Sequence, residues 1–300
     1  MRIRKAGKID EGLWLLGTPE SCVYLLEGKN TSALITAAMP YVLPELLGQF
    51  KQFGICEDKI RYLLILHAHF DHVGIAPFMK RRHRDMQLCA SARAWEVLQN
   101  PRALDVMETF TKKVADRLGG QKRFGNWTDL DWRWRADLAS SGMTLEDKQV
   151  LDLGGEKIEI LSTPGHSTCS ISAYVPSLKV LFPSDAAAIP YREEFIIAAG
   201  SSMETFMESL EKLDKKETRL VCADHYGCIA GDPAAEFIEE SLKAARDMRQ
   251  LLSQTMKEEA SLAAAARKLV ERHFNLRPDY FVDPAILMVT YEKMLKQYVR

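Results

Sequence analysis

The chain has almost no excess of charge of either sign. Its 300 residues contain 40 Lys and Arg against 41 Asp and Glu, a formal net charge of -1 at pH 7. Because no global positive field would attract a phosphate backbone or an anionic lipid surface, the composition argues against nucleic-acid binding and against a membrane-surface protein.

Long apolar runs and paired cysteines are also missing. No window approaches the roughly 20 apolar residues of a transmembrane helix, and residues 1–5 are basic but precede no apolar segment, so they do not predict a signal peptide. The six cysteines include no C-x-x-C pair, which favours buried thiols in a reducing compartment. The sequence therefore predicts a cytoplasmic protein without a membrane anchor.

Histidine is scarce but concentrated. Of seven histidines in the chain, three lie within six positions, at His67, His69 and His72, together with Asp71. They follow the apolar run 60–66, which predicts a buried strand, and the carboxyl end of a strand is where α/β proteins place ligands. Neutral histidine is the commonest ligand for borderline metals, so this stretch predicts a metal site.

Three more candidate ligands follow predicted strands downstream. His166 stands in Thr-Pro-Gly-His-Ser after the run 158–161, Asp185 follows 180–182, and His225 follows 219–222. Each has a structural alternative: an aspartate is a good helix N-cap, Pro-Gly is an ordinary turn, and a lone histidine is usually a hydrogen-bonded structural residue. Five histidines and two aspartates at successive strand ends together favour the metal site.

These motifs resemble the metallo-β-lactamase superfamily, through His-x-His-x-Asp-His at 67–72 and T-P-G-H-S at 163–167. The resemblance implies an α/β fold, a four-layer αββα sandwich. It also implies two divalent metal ions, with zinc expected first and iron or manganese as alternatives. The implied ligands are His67, His69 and His166 for the first ion, Asp71, His72 and His225 for the second, and Asp185 as the bridge.

The resemblance further implies a hydrolase that attacks an acyl carbonyl with a metal-bridging hydroxide oriented by Asp71. Tyr191 or Tyr226 would donate a hydrogen bond to the oxyanion, or else would be an ordinary core tyrosine. Aspartate rather than cysteine at position 185 is similar to glyoxalase II and the lactonases, so the expected substrate is a small-molecule thioester, ester or lactone. The alternative is a metal-containing regulatory protein that acts through a partner.

The sequence departs from the superfamily pattern in two places. Where an early D-T-G is usual, residues 36–38 read Thr-Ala-Ala, and Cys169 stands where the second motif often has glycine. The first change predicts the loss of a carboxylate behind the metal site, which would disturb the orientation of the ligands.

Two helical segments surround the predicted sandwich of residues 1–232. The insertion of about 91–147 is interpreted either as a helical unit that buries its aromatic side chains or as a lid, with Arg133 and Arg135 as substrate contacts. The extension 233–300 predicts three amphipathic helices that form a homodimer interface or a second wall of the site. The layout is similar to that of the quinolone-signal response thioesterases. His273, among charged residues, is expected on the surface.

Overall fold

Two mixed β-sheets form the centre of the fold in the computed structural model, which describes residues 1–126 and 142–299. The first sheet has the order β2-β3-β4-β5-β6-β7-β8 and the second β1-β16-β15-β12-β11-β10-β9, while β13 and β14 form a separate hairpin. The strands are β1 Arg2–Ile3, β2 Gly7–Asp10, β3 Leu13–Thr18, β4 Ser21–Glu27, β5 Ser32–Ile35, β6 Ile60–Ile65, β7 Gln87–Ser91, β8 Met143–Leu145, β9 Val150–Asp152, β10 Lys157–Ser162, β11 Ile171–Val175, β12 Val180–Phe182, β13 Ile189–Tyr191, β14 Glu194–Ile196, β15 Leu220–Cys222 and β16 Cys228–Ala230.

The first sheet begins with the predicted antiparallel meander. Strands β2 to β5 pair antiparallel, and β6, β7 and β8 continue the sheet in parallel. Parallel neighbours require crossover connections, and helices supply two of them, before β6 and before β7. The carboxyl ends of β5, β6 and β7 consequently reach the same edge of the sheet.

The described helices are α1 Leu43–Phe53, α2 Ala76–Arg82, α3 Ala92–Leu98, α4 Pro101–Arg117, α5 Gly120–Phe124, α6 Met203–Leu213, α7 Asp232–Ala235, α8 Phe237–Glu258, α9 Leu262–Leu276 and α10 Pro284–Lys296. Local sequence explains where the longer ones begin. Asn100 accepts hydrogen bonds from the backbone N–H groups of residues 102 and 103, with Pro101 next at the first helical position, an arrangement that favours helix initiation. Asp283 and Pro284 begin α10 in the same way.

The core has the layers that a four-layer sandwich requires. One apolar cluster lies between the sheets and contains alternate residues of their strands, such as Leu15, Tyr24, Ile160 and Phe182. The residues between them point outward into a second cluster, shared with the helices. Because successive strand side chains alternate between faces, each strand contributes to both layers, and the predicted αββα sandwich with helical additions is confirmed.

Three details differ from the prediction. Strands resume at β8, before the expected Val150, because Met143–Leu145 adds a parallel edge to β7. Cys56 is exposed, whereas the other five cysteines are buried as free thiols. His273 was expected on the surface but is 1% exposed, since the turn at 278–282 and α10 cover that face of α9.

The helical insertion is only partly described. Trp95 is buried and donates a hydrogen bond from Nε1 to the carbonyl of Met143 at 3.2 Å, which fits the structural interpretation of that aromatic residue. Arg133 and Arg135 lie outside the described residues. Within residues 1–126 and 142–299, none of the helices combines the length and apolarity needed to cross a bilayer.

Candidate metal centre and adjoining cavity

The candidate ligands come together where four strands of the two sheets end. β6 leads into the histidine-rich segment, β10 into His166, β12 into Asp185 and β15 into His225. All of these side chains are buried or nearly so. Residues separated by more than 150 positions in the chain thereby form one cluster at one edge of the sandwich.

The cluster contains two adjacent groups of ligand atoms. His67, His69 and His166 place one nitrogen each within 4.8 Å of one another, and Asp71, His72 and His225 form a second group by the same measure. Nδ1 of His69 lies 2.8 Å from Nε2 of His166. These two groups correspond to the two sets of ligands that the superfamily resemblance implies, and a third group, His67, His72 and Asp224, takes one residue from each of them.

Asp185 lies between the two groups. Its Oδ2 is 3.5 Å from Nε2 of His166 and 3.3 Å from Nε2 of His72, one residue from each group. Its Oδ1 is 3.6 Å from Nε2 of His225. One carboxylate therefore faces both groups, as a bridging ligand would.

Hydrogen bonds on the far side of four imidazoles fix their orientation. Nδ1 of His67 pairs with the Ser184 hydroxyl at 3.1 Å, and Nδ1 of His72 with the Asp224 carboxylate at 2.9 Å. Nδ1 of His166 and of His225 each face a backbone carbonyl, at 2.6 and 2.7 Å. Such outer partners fix the tautomer and leave Nε2 free to bind a metal.

The residues fit a metal ion by a second criterion. Nε2 of His67 and Nε2 of His72 are buried and have no hydrogen-bond partner within the described part of the chain. Buried polar atoms are nearly always satisfied by protein, water or an ion. Two unpartnered nitrogens that point toward carboxylates at the centre of a cluster are best explained as metal ligands.

Burial and nearby charges shift the pKa values of different histidines in the cluster in opposite directions. Burial, reinforced by neighbouring histidines, lowers the pKa of His67 well below its usual value and that of His69 to about 3. Burial also opposes the charged form of His72, but Asp71 and Asp185 raise the pKa of that imidazole well above its usual range. The imidazoles of the first group are therefore neutral at pH 7, whereas protons compete with a metal ion for the imidazole of His72.

Asp224 is a supporting residue that sequence reasoning missed. Its Oδ2 accepts hydrogen bonds from Ser184 at 2.5 Å, from His72 at 2.9 Å and from Thr36 at 3.1 Å. The prediction that Thr36 removes the supporting carboxylate was therefore wrong, because Asp224 supplies one from another strand end. The signal was available, since an aspartate stands directly before His225.

The backbone around Asp224 is held in an uncommon conformation. Thr36 and Ser184, whose hydroxyls donate to Asp224, have φ values of 66° and 51°. Residues other than glycine rarely adopt positive φ, and their surroundings must hold them there. The supporting carboxylate is consequently fixed by two constrained turns, one from each sheet.

A close helix approach positions His166. Gly165 has φ of +131°, and a Cβ at this position would lie 2.3 Å from the backbone of Phe206 in α6. Its carbonyl accepts hydrogen bonds from the backbone N–H groups of Ser201 and Ser202 at 3.0 Å. Only glycine permits this contact, which brings the first turn of α6 against the loop that carries His166.

A cavity of about 520 Å³ opens from the cluster of candidate ligands. Helix α4 lines it through residues such as Met107 and Phe110, and α10 lines it through residues such as Ile286 and Met294. Asp71, His69 and Asp185 line it at the cluster. The volume lies in the range of about 300–1,000 Å³ that is typical of small-molecule sites.

The two candidate tyrosines are not among the residues that line this cavity. The Tyr191 hydroxyl donates to Asp279, and Tyr226 packs beside Tyr191 with ring centroids 5.1 Å apart. Tyr280 lines the cavity instead, and burial, reinforced by the charges of nearby groups that include Asp185, raises its pKa well above the usual value. It stays a protonated donor at neutral pH.

Comparison with known proteins places this arrangement in context. A family model described as the metallo-beta-lactamase superfamily matches residues 19–225. A metallo-beta-lactamase fold-containing protein of Sulfurisphaera tokodaii is 24% identical over 223 residues, which cover 74% of this chain and 77% of that protein. A hydroxyacylglutathione hydrolase of Mesorhizobium japonicum is 32% identical over 98 residues, but these cover 31% of this chain and 36% of the hydrolase.

Solved structures agree on the fold. A metallo-beta-lactamase family protein from Thermus thermophilus superposes with a TM-score of 0.66 at 18% identity, covering 97% of this chain and 95% of that one. An archaeal superfamily protein from Sulfolobus tokodaii gives a TM-score of 0.60 at 21% identity, over 78% of this chain and 85% of that one. At such identities the likeness concerns the fold.

Proposed function

This chain belongs to the metallo-beta-lactamase superfamily, whose members are typically metal-dependent hydrolases, and we propose from that premise that it hydrolyses a small-molecule thioester, ester or lactone with two divalent metal ions. The observation that carries the proposal is the continuity of the two ligand groups with an apolar cavity of substrate size. The partial likeness to a hydroxyacylglutathione hydrolase supports an acyl substrate.

The proposed metal ligands are the seven residues of the cluster. Five imidazoles and two carboxylates can bind zinc, iron or manganese, since these donor types do not separate the three metals, and zinc is the first to be tested. When bound, such ions polarise a carbonyl and lower the pKa of bound water toward about 7. The cluster residues are His67, His69, Asp71, His72, His166, Asp185 and His225.

Asp71 is the proposed proton carrier. It lines the cavity, and although burial opposes its charge, His72 and His225 lower the pKa of its carboxyl. The ionised Oδ2, 3.7 Å from Nε2 of His225, can accept a proton from the attacking water and pass it to the departing alkoxide or thiolate. Tyr280, rather than Tyr191 or Tyr226, has the position to hydrogen-bond an oxyanion in the cavity.

The test is hydrolysis of acyl thioesters, aryl esters and lactones by zinc-, iron- and manganese-loaded protein, with Asp71→Asn as control. The proposal is supported if one class is turned over and its turnover falls at least about 100-fold in the variant. The fold of the variant must be unchanged, and the metal content of both proteins must be measured. No turnover of any class with any metal would defeat it. A metal-free His67→Ala variant that still performs the protein's role in its host would favour the regulatory alternative.

Three further expectations stay predictions. A homodimer through α8 to α10 is tested by light scattering, and a cytoplasmic location by fractionation. The boundary at 232/233 is tested by limited proteolysis, since a separable extension would be cleaved there before the sandwich.

A further inference from the structure

His273 is a buried polar residue in the aromatic part of the cavity. It lies on α9 with 1% of its surface exposed, and it lines the cavity. Nδ1 of its ring lies 3.1 Å from the hydroxyl of Tyr291. Nε2 has no hydrogen-bond partner within residues 1–126 and 142–299.

An unpaired nitrogen at this depth requires an explanation. Burying a hydrogen-bonding group without a partner is costly, and phenylalanine would pack in the same space without that cost. His273 makes ring contacts with Phe274, Tyr280 and Tyr291, so its surroundings are aromatic. A partner that enters with a ligand accounts for the nitrogen.

Aromatic contacts lead from the metal cluster to His273. The ring of His225 lies 5.1 Å from that of Phe281, Phe281 lies 5.2 Å from Tyr280, and Tyr280 lies 4.7 Å from His273, measured between centroids. All four side chains line the same cavity. A molecule whose reacting carbonyl is at the cluster can therefore extend along this wall toward Nε2.

The charge of the cavity defines the chemistry of that molecule. Lys293 is the one Lys or Arg among the described residues that line the cavity, and its side chain is exposed. Burial, with the nearby charge of Arg277, lowers the pKa of His273 to about 4, so the imidazole is neutral at pH 7. Arg277 pairs with Glu194 and does not line the cavity, so an uncharged oxygen, which needs no counter-ion, suits the position beside His273 better than an anion.

We propose that the cavity binds the acyl part of the substrate, an apolar body bearing one uncharged hydroxyl or keto oxygen that hydrogen-bonds to Nε2 of His273. This inference rests on the proposed hydrolase function, whose substrate class it names. The walls of α4 and α10 hold the apolar body, and His273 selects the oxygen. A hydroxyl or a keto group satisfies the same nitrogen, depending on which ring nitrogen carries the proton.

The first experiment compares thioesters of one thiol with acyl chains of four, eight and ten carbons. Each chain is tested unsubstituted and with a hydroxyl or keto group at successive carbons. We expect kcat/KM to rise with length by about fourfold per added methylene until the cavity is full. We also expect one oxygenated position to exceed the unsubstituted chain by about tenfold.

His273→Leu identifies the residue responsible. The variant should reduce the tenfold preference to within about twofold. The quantity compared is the ratio of kcat/KM between oxygenated and unsubstituted chains, because a general loss of activity leaves that ratio unchanged. His83→Leu is the matched control, because His83 pairs with Glu57 at 3.1 Å and does not line the cavity. A wild-type protein without any oxygen preference, or a preference that survives His273→Leu, would overturn the inference.

A second variant tests the cavity without removing the polar contact. Leu287→Trp should fill space between α4 and α10 and raise KM for ten-carbon chains at least about tenfold, because several methylenes would lose their burial, with four-carbon chains little changed. Equal effects on both lengths would contradict the acyl assignment.

The two proposals fail in different ways. Hydrolysis that is sensitive to Asp71→Asn but shows neither length nor oxygen preference keeps the hydrolase and rejects the acyl assignment. If nothing is hydrolysed, calorimetry with the hydroxy- and keto-acyl methyl esters decides. Binding that His273→Leu weakens would retain the cavity assignment without the hydrolase, and absence of binding would reject both.

Discussion

Nδ1 of His72 donates a hydrogen bond to Asp224, which directly precedes His225, at 2.9 Å. Two residues proposed to bind the same metal ion are thereby coupled through one buried carboxylate. Asp224 also belongs to a geometric group with His67 and His72 that could itself hold an ion. Its Oδ2 accepts three hydrogen bonds from protein donors and so orients those residues, whereas its Oδ1 is buried and has no partner within the described part of the chain.

Removal of this carboxylate should weaken the second metal ion more than the first. Asp224→Ala frees Nδ1 of His72, and loss of such outer partners typically lowers metal affinity about 10- to 100-fold. Competition titration with a chromophoric chelator would show that the affinity for one of the two metal ions is lower. Thr36→Asp combined with Asp224→Gly returns a carboxylate to the superfamily's usual position and should recover part of the affinity. Equal weakening of both ions would contradict the assignment.

Metal should stabilise the folded chain. A ligand that binds only the native state at about 100 times its Kd adds roughly 2.7 kcal/mol, which corresponds to about 4 °C in Tm for a chain of this size. Differential scanning calorimetry with chelator and with added zinc measures the shift. The shift should be much smaller in His67→Ala, and an unchanged wild-type Tm would argue against a metal centre.

Substitutions of Tyr280 and Tyr191 should differ in their effect on kcat. Tyr280→Phe removes a donor that lines the cavity, and we expect kcat to fall roughly 10- to 100-fold, below the loss of about 100- to 1,000-fold for a full oxyanion donor. Tyr191→Phe breaks a bond to Asp279 outside the cavity, so kcat should change less than about threefold, with at most about 1 kcal/mol lost in stability. The reverse ranking would restore Tyr191 as the catalytic candidate.

Gly165→Ala should destabilise the fold and displace His166. The new Cβ would meet the Phe206 backbone at 2.3 Å, at a φ of +131°, so we expect a loss of about 2–4 kcal/mol in urea unfolding. Gly48→Ala is the matched control in α1, where a Cβ meets nothing within 4 Å. That change should stabilise by up to about 1 kcal/mol. Equal outcomes for the two variants would contradict the close-contact explanation.

His273 should make stability depend on pH. Its pKa is lowered from 6.5 to about 4 by burial, so between these values the unfolded chain binds more protons than the folded one. Stability from this group is therefore complete above pH 6.5 and is lost as the pH falls toward 4, by roughly 3 kcal/mol in all. Urea unfolding of wild type minus His273→Phe should show that slope. A flat difference curve would contradict the shifted pKa.

Strand positions and the seven candidate ligands were accessible from sequence because each depends on local order. An apolar run that is followed by a polar motif indicates both a strand and the strand end at which the candidate ligands lie, as at Ile60–Ile65. Asp224 was missed because its function depends on Thr36 and Ser184, which are distant in the chain. Such partners become visible only when the two sheets are packed together.

His273 shows the same limit from the opposite direction. Its charged neighbours in sequence suggested a surface helix, but burial depends on Tyr280 and Tyr291, which fold back over α9. The helical spacing of α9 was predicted correctly, whereas the number of its faces that are covered was not. Helical periodicity specifies that a face is buried, but coverage of a second face is a tertiary property.

The walls of the cavity and the proposed metal ligands come from separate parts of the chain. The ligands are at the ends of sheet strands, whereas α4 belongs to an insertion and α10 lies near the carboxyl end. Substitutions in the two helices can therefore alter which acyl groups are accepted without disturbing a ligand. In a lineage built on this sandwich, substrate range can evolve quickly while the reactive centre changes slowly.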